Sequence, residues 1–376
     1  MLGWVSFFTD MASAMIMPIL PIFVVLVLDE GMDKLGIIVA ISTFASYALR
    51  LVSGYISDRY GIVKPLVVAG YAFSALSKPL IGLTQGYKTV AGLQVAERLG
   101  KGLRSAPKDV MIVQYSTERA SGKTFGFHKM MDIAGELSGA VILFVLLWYF
   151  GQSETVMRNI FYATLVPGII GLVIVAFFVR DVPKPIIHTK QSFTLTQNDK
   201  KTIAALFFYF LFLLFVFSPS FFTMQAKAVG IVTAVIPLLF VVSSGVQTLS
   251  SYLFGILIDQ FGVKRVMGFS YACGAASQGF LMLKSPFFTW IAYAFLGLFT
   301  VASLNANRAF IAQSATNKGS VYGVFYAGVA LFGALGAYIA GLIWEHWNMQ
   351  SALIYSLVGT LVMTLMFLLM KDHHEN

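Results

Sequence analysis

Six ionisable residues recur at helical spacing in one stretch of this chain: Glu97, Arg98, Lys101, Arg104, Lys108 and Asp109. At 100° per residue they fall within an arc of about 140°, with Val95, Leu99, Leu103 and Val110 opposite. A second run, His128, Asp132 and Glu136, steps by four residues and so lies on one face of a helix. Asp10 is a lone acid in an apolar segment that also holds Pro18 and Pro21. A buried carboxylate with a raised pKa takes up and releases protons near neutral pH, whereas one beside an arginine or lysine stays ionised. The pattern therefore predicts a proton-coupling group of Asp10, Asp132 and Glu136, with Asp132 equally suited to pairing with Arg98 or Lys101 as a structural partner. Arg98, Lys101 and Arg104 are expected to face a cavity, and Lys78, just before Pro79, is an intramembrane cation with no partner that the sequence names.

Other chemistries lack their residues. There is no nucleophile motif, metal-ligand spacing, glycine-rich phosphate loop or nucleotide-binding signature, so neither an enzyme nor a cofactor or metal site is expected. Cys273 is the single cysteine, which excludes an internal disulfide framework and a thiol metal site.

The elements that must position these groups are membrane helices. Of 376 residues, 58% are hydrophobic and 11% charged, and the mean hydropathy is +0.79. That is more apolar surface than a soluble core hides. A spanning helix needs roughly 20 mainly apolar residues, and the sequence predicts twelve, at 3–28, 35–56, 65–84, 88–112, 123–150, 159–179, 202–224, 229–254, 265–283, 286–312, 320–344 and 350–370. The first lacks a small-residue cleavage site and reads as a retained helix.

Basic residues collect in the connections after even-numbered helices, among them Arg59, Lys64, Arg119, Lys123, Arg180, Lys184, Lys190, Lys200, Lys201, Lys264, Arg265 and Lys318. The positive-inside rule then places these connections and both termini in the cytoplasm, and a net charge of +9 needs no nucleic-acid partner. The longest connection is polar and contains Pro183 and Pro185, which suits a flexible linker. The expected organisation is an N-terminal six-helix bundle over 1–180, a cytoplasmic linker over 181–201 and a C-terminal six-helix bundle over 202–376.

Internal repetition supports that division. Gly54, Asp58, Arg59, Gly61 and Lys64 return 201 positions later as Gly255, Asp259, Gln260, Gly262 and Arg265, and Gly122, Gly126 and Gly139 return 197 positions later as Gly319, Gly323 and Gly336. The first set resembles the loop between helices 2 and 3 that marks the major facilitator superfamily. The resemblance covers nearly the whole chain. Ser6 to Asp10, Pro18 to Pro21, Glu97 to Asp109 and Gly126 to Asp132 resemble a bacterial branch with a charged fourth helix. It implies an all-α integral membrane protein, twelve helices in two pseudo-symmetric bundles, working by alternating access as a monomer in the inner membrane. It also implies a conformational latch of Gly54, Asp58, Arg59, Gly61, Lys64, Asp109, Gly255, Asp259 and Gly262. Ala14 stands where relatives usually show an acid, and Ala140 where the helix 5 glycine motif of antiporters usually has proline; both weaken an inference of drug–proton antiport.

The second half has lost the charged stripe: at the 197-residue offset Arg98, Arg104 and Asp132 become Phe295, Val301 and Val329. It offers aromatic residues with Asn305 and Arg308, which complete the expected solute cavity. The expected activity is transport of a small amphipathic or anionic organic solute, with protons as the expected coupling ion. Carriers of drugs or siderophores, a channel and a membrane enzyme are the alternatives.

Overall fold

The computed structural model describes residues 1–60, 62–115, 121–181 and 195–369. All regular structure among them is helical. Chain contacts divide it into two units: Met1–Gln191 with Val232–Leu238, and Ser192–Ile231 with Leu239–Asn376.

In unit 1, α1 (Leu2–Ile16) continues through α2 (Leu20–Ile22) into a π-helical turn at Phe23–Val27. Pro18 and Pro21 remove backbone donors here, and the helix loosens at Met17–Ile19 as a result. Then follow α3 (Met32–Tyr60), α4 (Lys64–Leu80), α5 (Tyr87–Tyr115) and α6 (Ser121–Phe150). The last apolar stretch is split at Thr164 into α7 (Glu154–Ala163) and α8 (Leu165–Val173), with Pro167 in the first turn of α8. The middle of the unit is α5, packed on α3 and α4, while α1 packs on α6 and α8. Gly135 and Gly139 make the α1–α6 approach possible: a Cβ at Gly135 would meet the Phe7 carbonyl, and one at Gly139 the Met11 carbonyl. At the far end Arg158 closes the unit, donating to the carbonyls of Gly82 at 2.7 Å and Thr84 at 2.8 Å and to Glu154 at 2.8 Å.

Unit 2 begins with α9 (Gln197–Leu213) and α10 (Pro219–Ala228), where hydropathy predicts one helix over 202–224. Pro219 disfavours helical backbone at the preceding residue, and Ser218 is extended at φ −68°, ψ 157°, so the helix stops and restarts. The rest of the chain forms α11 (Ile236–Phe261), α12 (Val263–Met282), α13 (Pro286–Ser314), α14 (Lys318–His346) and α15 (Met349–Leu369). Its interior is aromatic. Phe212, Tyr271, Phe299 and Phe325 are buried, and the Phe212 and Tyr271 rings lie 4.6 Å apart. Cys273 is also buried in this unit.

At the start of α9, Asp199 is fully buried and saturated with donors. It accepts from Thr196 N–H at 2.9 Å, Thr196 O–H at 2.7 Å, Thr316 N–H at 2.8 Å and Asn317 N–H at 3.0 Å. This caps α9 and ties its end to the turn before α14.

Eight segments among the described residues are long and apolar enough to cross a bilayer: Leu2–Val27, Lys64–Leu83, Phe127–Phe150, Glu154–Phe178, Thr233–Phe261, Pro286–Ser314, Lys318–His346 and Met349–Leu369. The others expected from the sequence lie in α3, α5, α9 with α10, and α12. In α5 the six ionisable residues lower the hydropathy, and α9 and α10 are separate pieces.

Candidate functional site

Unit 1 contains a polar cavity of about 150 Å³. Its walls follow from helical periodicity. On α1, Ser6, Thr9 and Asp10 share a face; on α5, Lys101, Arg104, Ser105 and Lys108 do so; on α6, Lys129, Asp132 and Glu136; and Tyr71 enters from α4. Asp10, Asp132, Glu136, Lys101 and Arg104 from the sequence reading therefore meet in one place.

Each cation on α5 is held differently. The Arg104 guanidinium is buried, lies 4.5 Å from the centre of the Tyr71 ring and donates to the Gly70 carbonyl at 3.3 Å, which fixes its direction. Lys108 Nζ donates to Ser6 Oγ at 3.4 Å. Lys101 forms no ion pair within 4.0 Å among the described residues.

His128 is buried, with Nε2 3.1 Å from Ser6 Oγ and 3.5 Å from Asp132 Oδ1. A serine nucleophile needs its hydroxyl and its acid on opposite ring nitrogens. Here both face Nε2, so this is a polar junction between α1 and α6. Asp132 Oδ1 is itself buried and accepts no hydrogen bond among the described residues.

Beside the cavity lies a charge pair that sequence alone does not connect. Glu97 Oε1 lies 3.9 Å from Lys78 Nζ, and its Oε2 lies 3.4 Å from Arg98 Nε. Ser74 donates to Oε1 at 3.4 Å, and Lys78 donates to the carbonyl of Thr9 at 3.3 Å. Lys78 and Glu97 are both buried. Arg98 therefore faces Glu97 and does not line the cavity. The signal for this pair was Lys78 itself, since a cation at membrane depth demands a partner, but its sequence position does not say which helix supplies one.

The remaining expected residues lie elsewhere. In unit 2, Asn305 donates to the Ser251 carbonyl at 3.2 Å, and the exposed Arg308 donates to the Tyr326 hydroxyl at 3.0 Å. Of the latch residues, Gly61 lies outside the described residues, as do the side-chain environments of Gly54, Asp58 and Arg59. The Lys64 N–H, at the start of α4, donates to Asp181 Oδ1 at 3.4 Å, and Asp109 is exposed on α5. In the second copy Gly255 and Asp259 lie exposed on α11, and Gly262 precedes α12 at φ +82°, a left-handed backbone that favours glycine.

The profile of the Major Facilitator Superfamily matches residues 2–231 and 203–376, which together span the chain. The chain belongs to the major facilitator superfamily. One superfamily relative is an uncharacterised MFS-type transporter of Methanocaldococcus jannaschii, 29% identical over 360 residues, covering 92% of this chain and 88% of the relative. A shorter match, 27% identical over 134 residues, covers 36% of this chain and 33% of the multidrug resistance protein MdtH of Photorhabdus laumondii. Among solved structures, the nucleoside transporter NupG superposes with a TM-score of 0.81 at 14% identity, covering 98% of this chain and 97% of that one. A POT family transporter superposes with a TM-score of 0.79 at 11% identity, covering 98% of this chain and 94% of that one. At these identities the two structures show a shared fold. As a major facilitator, the chain is a multi-pass membrane protein of a transporter family.

Proposed function

We propose that this chain is a secondary active carrier that moves a small charged organic solute by alternating access and couples the movement to protons. The observation that carries the reading is the unit 1 cavity, where Asp10, Asp132 and Glu136 meet Lys101, Arg104, Lys108 and Lys129. Ionisable residues cost roughly 2.5–3.5 kcal/mol each at the bilayer centre on insertion scales, so a cluster of this size implies a pathway for charge. Cations on α5 attract an anionic group, and the acids on α1 and α6 exchange protons. Twelve membrane helices in two six-helix halves about a cytoplasmic linker, cytoplasmic termini, an inner-membrane location and a monomeric state belong to the same proposal, supported by the repeated motif and the distribution of lysine and arginine.

The partial match to a multidrug resistance protein favours drug efflux as a second reading. Size argues against it. Pockets for drug-sized ligands occupy about 300–1,000 Å³, against about 150 Å³ here.

Counterflow exchange in proteoliposomes, with and without a pH gradient, tests the proposal. Solute exchange that responds to the gradient is expected, and Asp10→Asn together with Glu136→Gln should abolish the response. Full pH dependence in both variants would remove the coupling assignment; conductance without exchange would mark a channel.

A further inference from the structure

Charges of both signs line the unit 1 cavity without neutralising one another. The cations Lys101 and Lys129 and the acids Asp10 and Glu136 form no ion pair within 4.0 Å among the described residues. Asp132 Oδ1, on α6, is a buried acceptor that receives no hydrogen bond among the described residues, its ionisable neighbour being His128 Nε2 at 3.5 Å. Arg104 gives one hydrogen bond to the Gly70 carbonyl and has further donors to offer, since a guanidinium carries five N–H groups. A purely anionic solute would satisfy Lys101 and Arg104 but be repelled by Asp10 and Glu136, and a purely cationic one would meet the reverse. A solute carrying both charges finds partners of both signs in the lining.

We infer that the unit 1 cavity binds a small zwitterion, with its carboxylate toward Lys101 and Arg104 on α5 and its ammonium toward Asp10, Asp132 and Glu136 on α1 and α6. The inference rests on the reading of this cavity as the solute site and narrows the solute class. The volume of about 150 Å³ falls below the roughly 300–1,000 Å³ of pockets for drug-sized ligands, which suits a small molecule. Charge-assisted hydrogen bonds at both ends give specificity against any analogue that lacks one charge, because that analogue leaves a desolvated ion unpaired.

The test uses purified full-length protein in detergent and three probes of similar length: γ-aminobutyrate, butyrate and n-butylamine. Binding is measured by isothermal titration calorimetry. γ-Aminobutyrate is expected to bind at least about tenfold more tightly than either analogue. Lys101→Met and Glu136→Gln should each weaken it by about tenfold or more, while Lys101→Arg and Glu136→Asp retain part of the affinity. Unliganded unfolding midpoints identify any variant that is misfolded, and the conservative variants then carry the comparison. The zwitterion assignment is overturned if γ-aminobutyrate fails to bind more tightly than both analogues, including the case in which none binds. Equal binding of γ-aminobutyrate and butyrate that still requires Lys101 would overturn it while leaving an anion carrier standing. Probe binding unchanged by both Lys101→Met and Glu136→Gln would remove the cavity as the solute site altogether.

Discussion

Glu97 holds three partners and Lys78 two, and that asymmetry decides what each substitution costs. Glu97→Gln leaves the Lys78 ammonium buried with only the Thr9 carbonyl and a neutral amide, so a loss of about 3–5 kcal/mol is expected. Lys78→Met leaves Glu97 with Arg98 and Ser74 and should cost less. The double variant should recover most of the loss, because no uncompensated charge remains. Thermal unfolding in detergent orders the three, and a Lys78 variant less stable than the Glu97 variant would contradict the pairing. Asp199 gives a pH prediction outside the membrane. Burial raises its pKa, but hydrogen bonds from Thr196, Asn317 and Thr316 outweigh this and hold the carboxyl down to about 2, against 3.8 unperturbed. A depressed folded-state pKa stabilises above the unfolded value and loses that contribution as pH falls through the folded one. The stabilisation should therefore be constant near neutrality and disappear between about pH 4 and 2, with Asp199→Asn flattening that part of the stability curve. The acids that line the cavity were legible in the sequence because a carboxylate in an apolar run is conspicuous. Lys78 with Glu97, and Arg98 turned toward Glu97, were not, because neighbours on different helices are fixed by packing.

Helix ends and breaks are where reading the elements from sequence fell short. Hydropathy placed most of the long helices within a few residues, since twenty apolar residues leave little alternative. The helix expected over 229–254 runs instead as α11 (Ile236–Phe261), because the apolar run continues through Phe261 while its expected start falls in the turn around Gly230. The interruption at Ser218 follows from Pro219, but the run stays apolar across it and hydropathy does not mark it. The split at Thr164 has only the weaker cue of Pro167 three residues on. Two contacts at this scale invite substitution. Gly135→Val should push α6 off the backbone of α1, with a cost of about 1–3 kcal/mol and loss of the cavity wall that carries Asp132 and Glu136. Arg158→Ala should leave the carbonyls of Gly82 and Thr84 without their cation and cost about 1.5–3 kcal/mol, and lysine should restore only part because it lacks the planar fork. Unfolding midpoints read both, and a neutral Arg158→Ala would show the clamp to be dispensable.

For the whole molecule, the two units differ in what they bury. Inside its helices unit 1 encloses a cluster of ions and unit 2 mainly rings, apart from Asp199 at the start of α9, as Phe295, Val301 and Val329 at the positions equivalent to Arg98, Arg104 and Asp132 already indicated. The internal repeat was readable because glycine and aspartate recur at nearly fixed offsets. The cavity itself was not, because its volume depends on how four helices lean together. If the charges of unit 1 carry the coupling, replacing Arg308 in unit 2 by alanine should leave the pH dependence of exchange in place. Proteoliposome exchange measured across a pH series checks this.

Buried Cys273 has a practical side. With the chain's single thiol packed away from solvent, a cysteine introduced on an exposed helix end becomes the preferred target of a maleimide or a spin label. Pairs of such labels on one unit and then the other can report distances during turnover in the native background, with no need to prepare a thiol-free parent first.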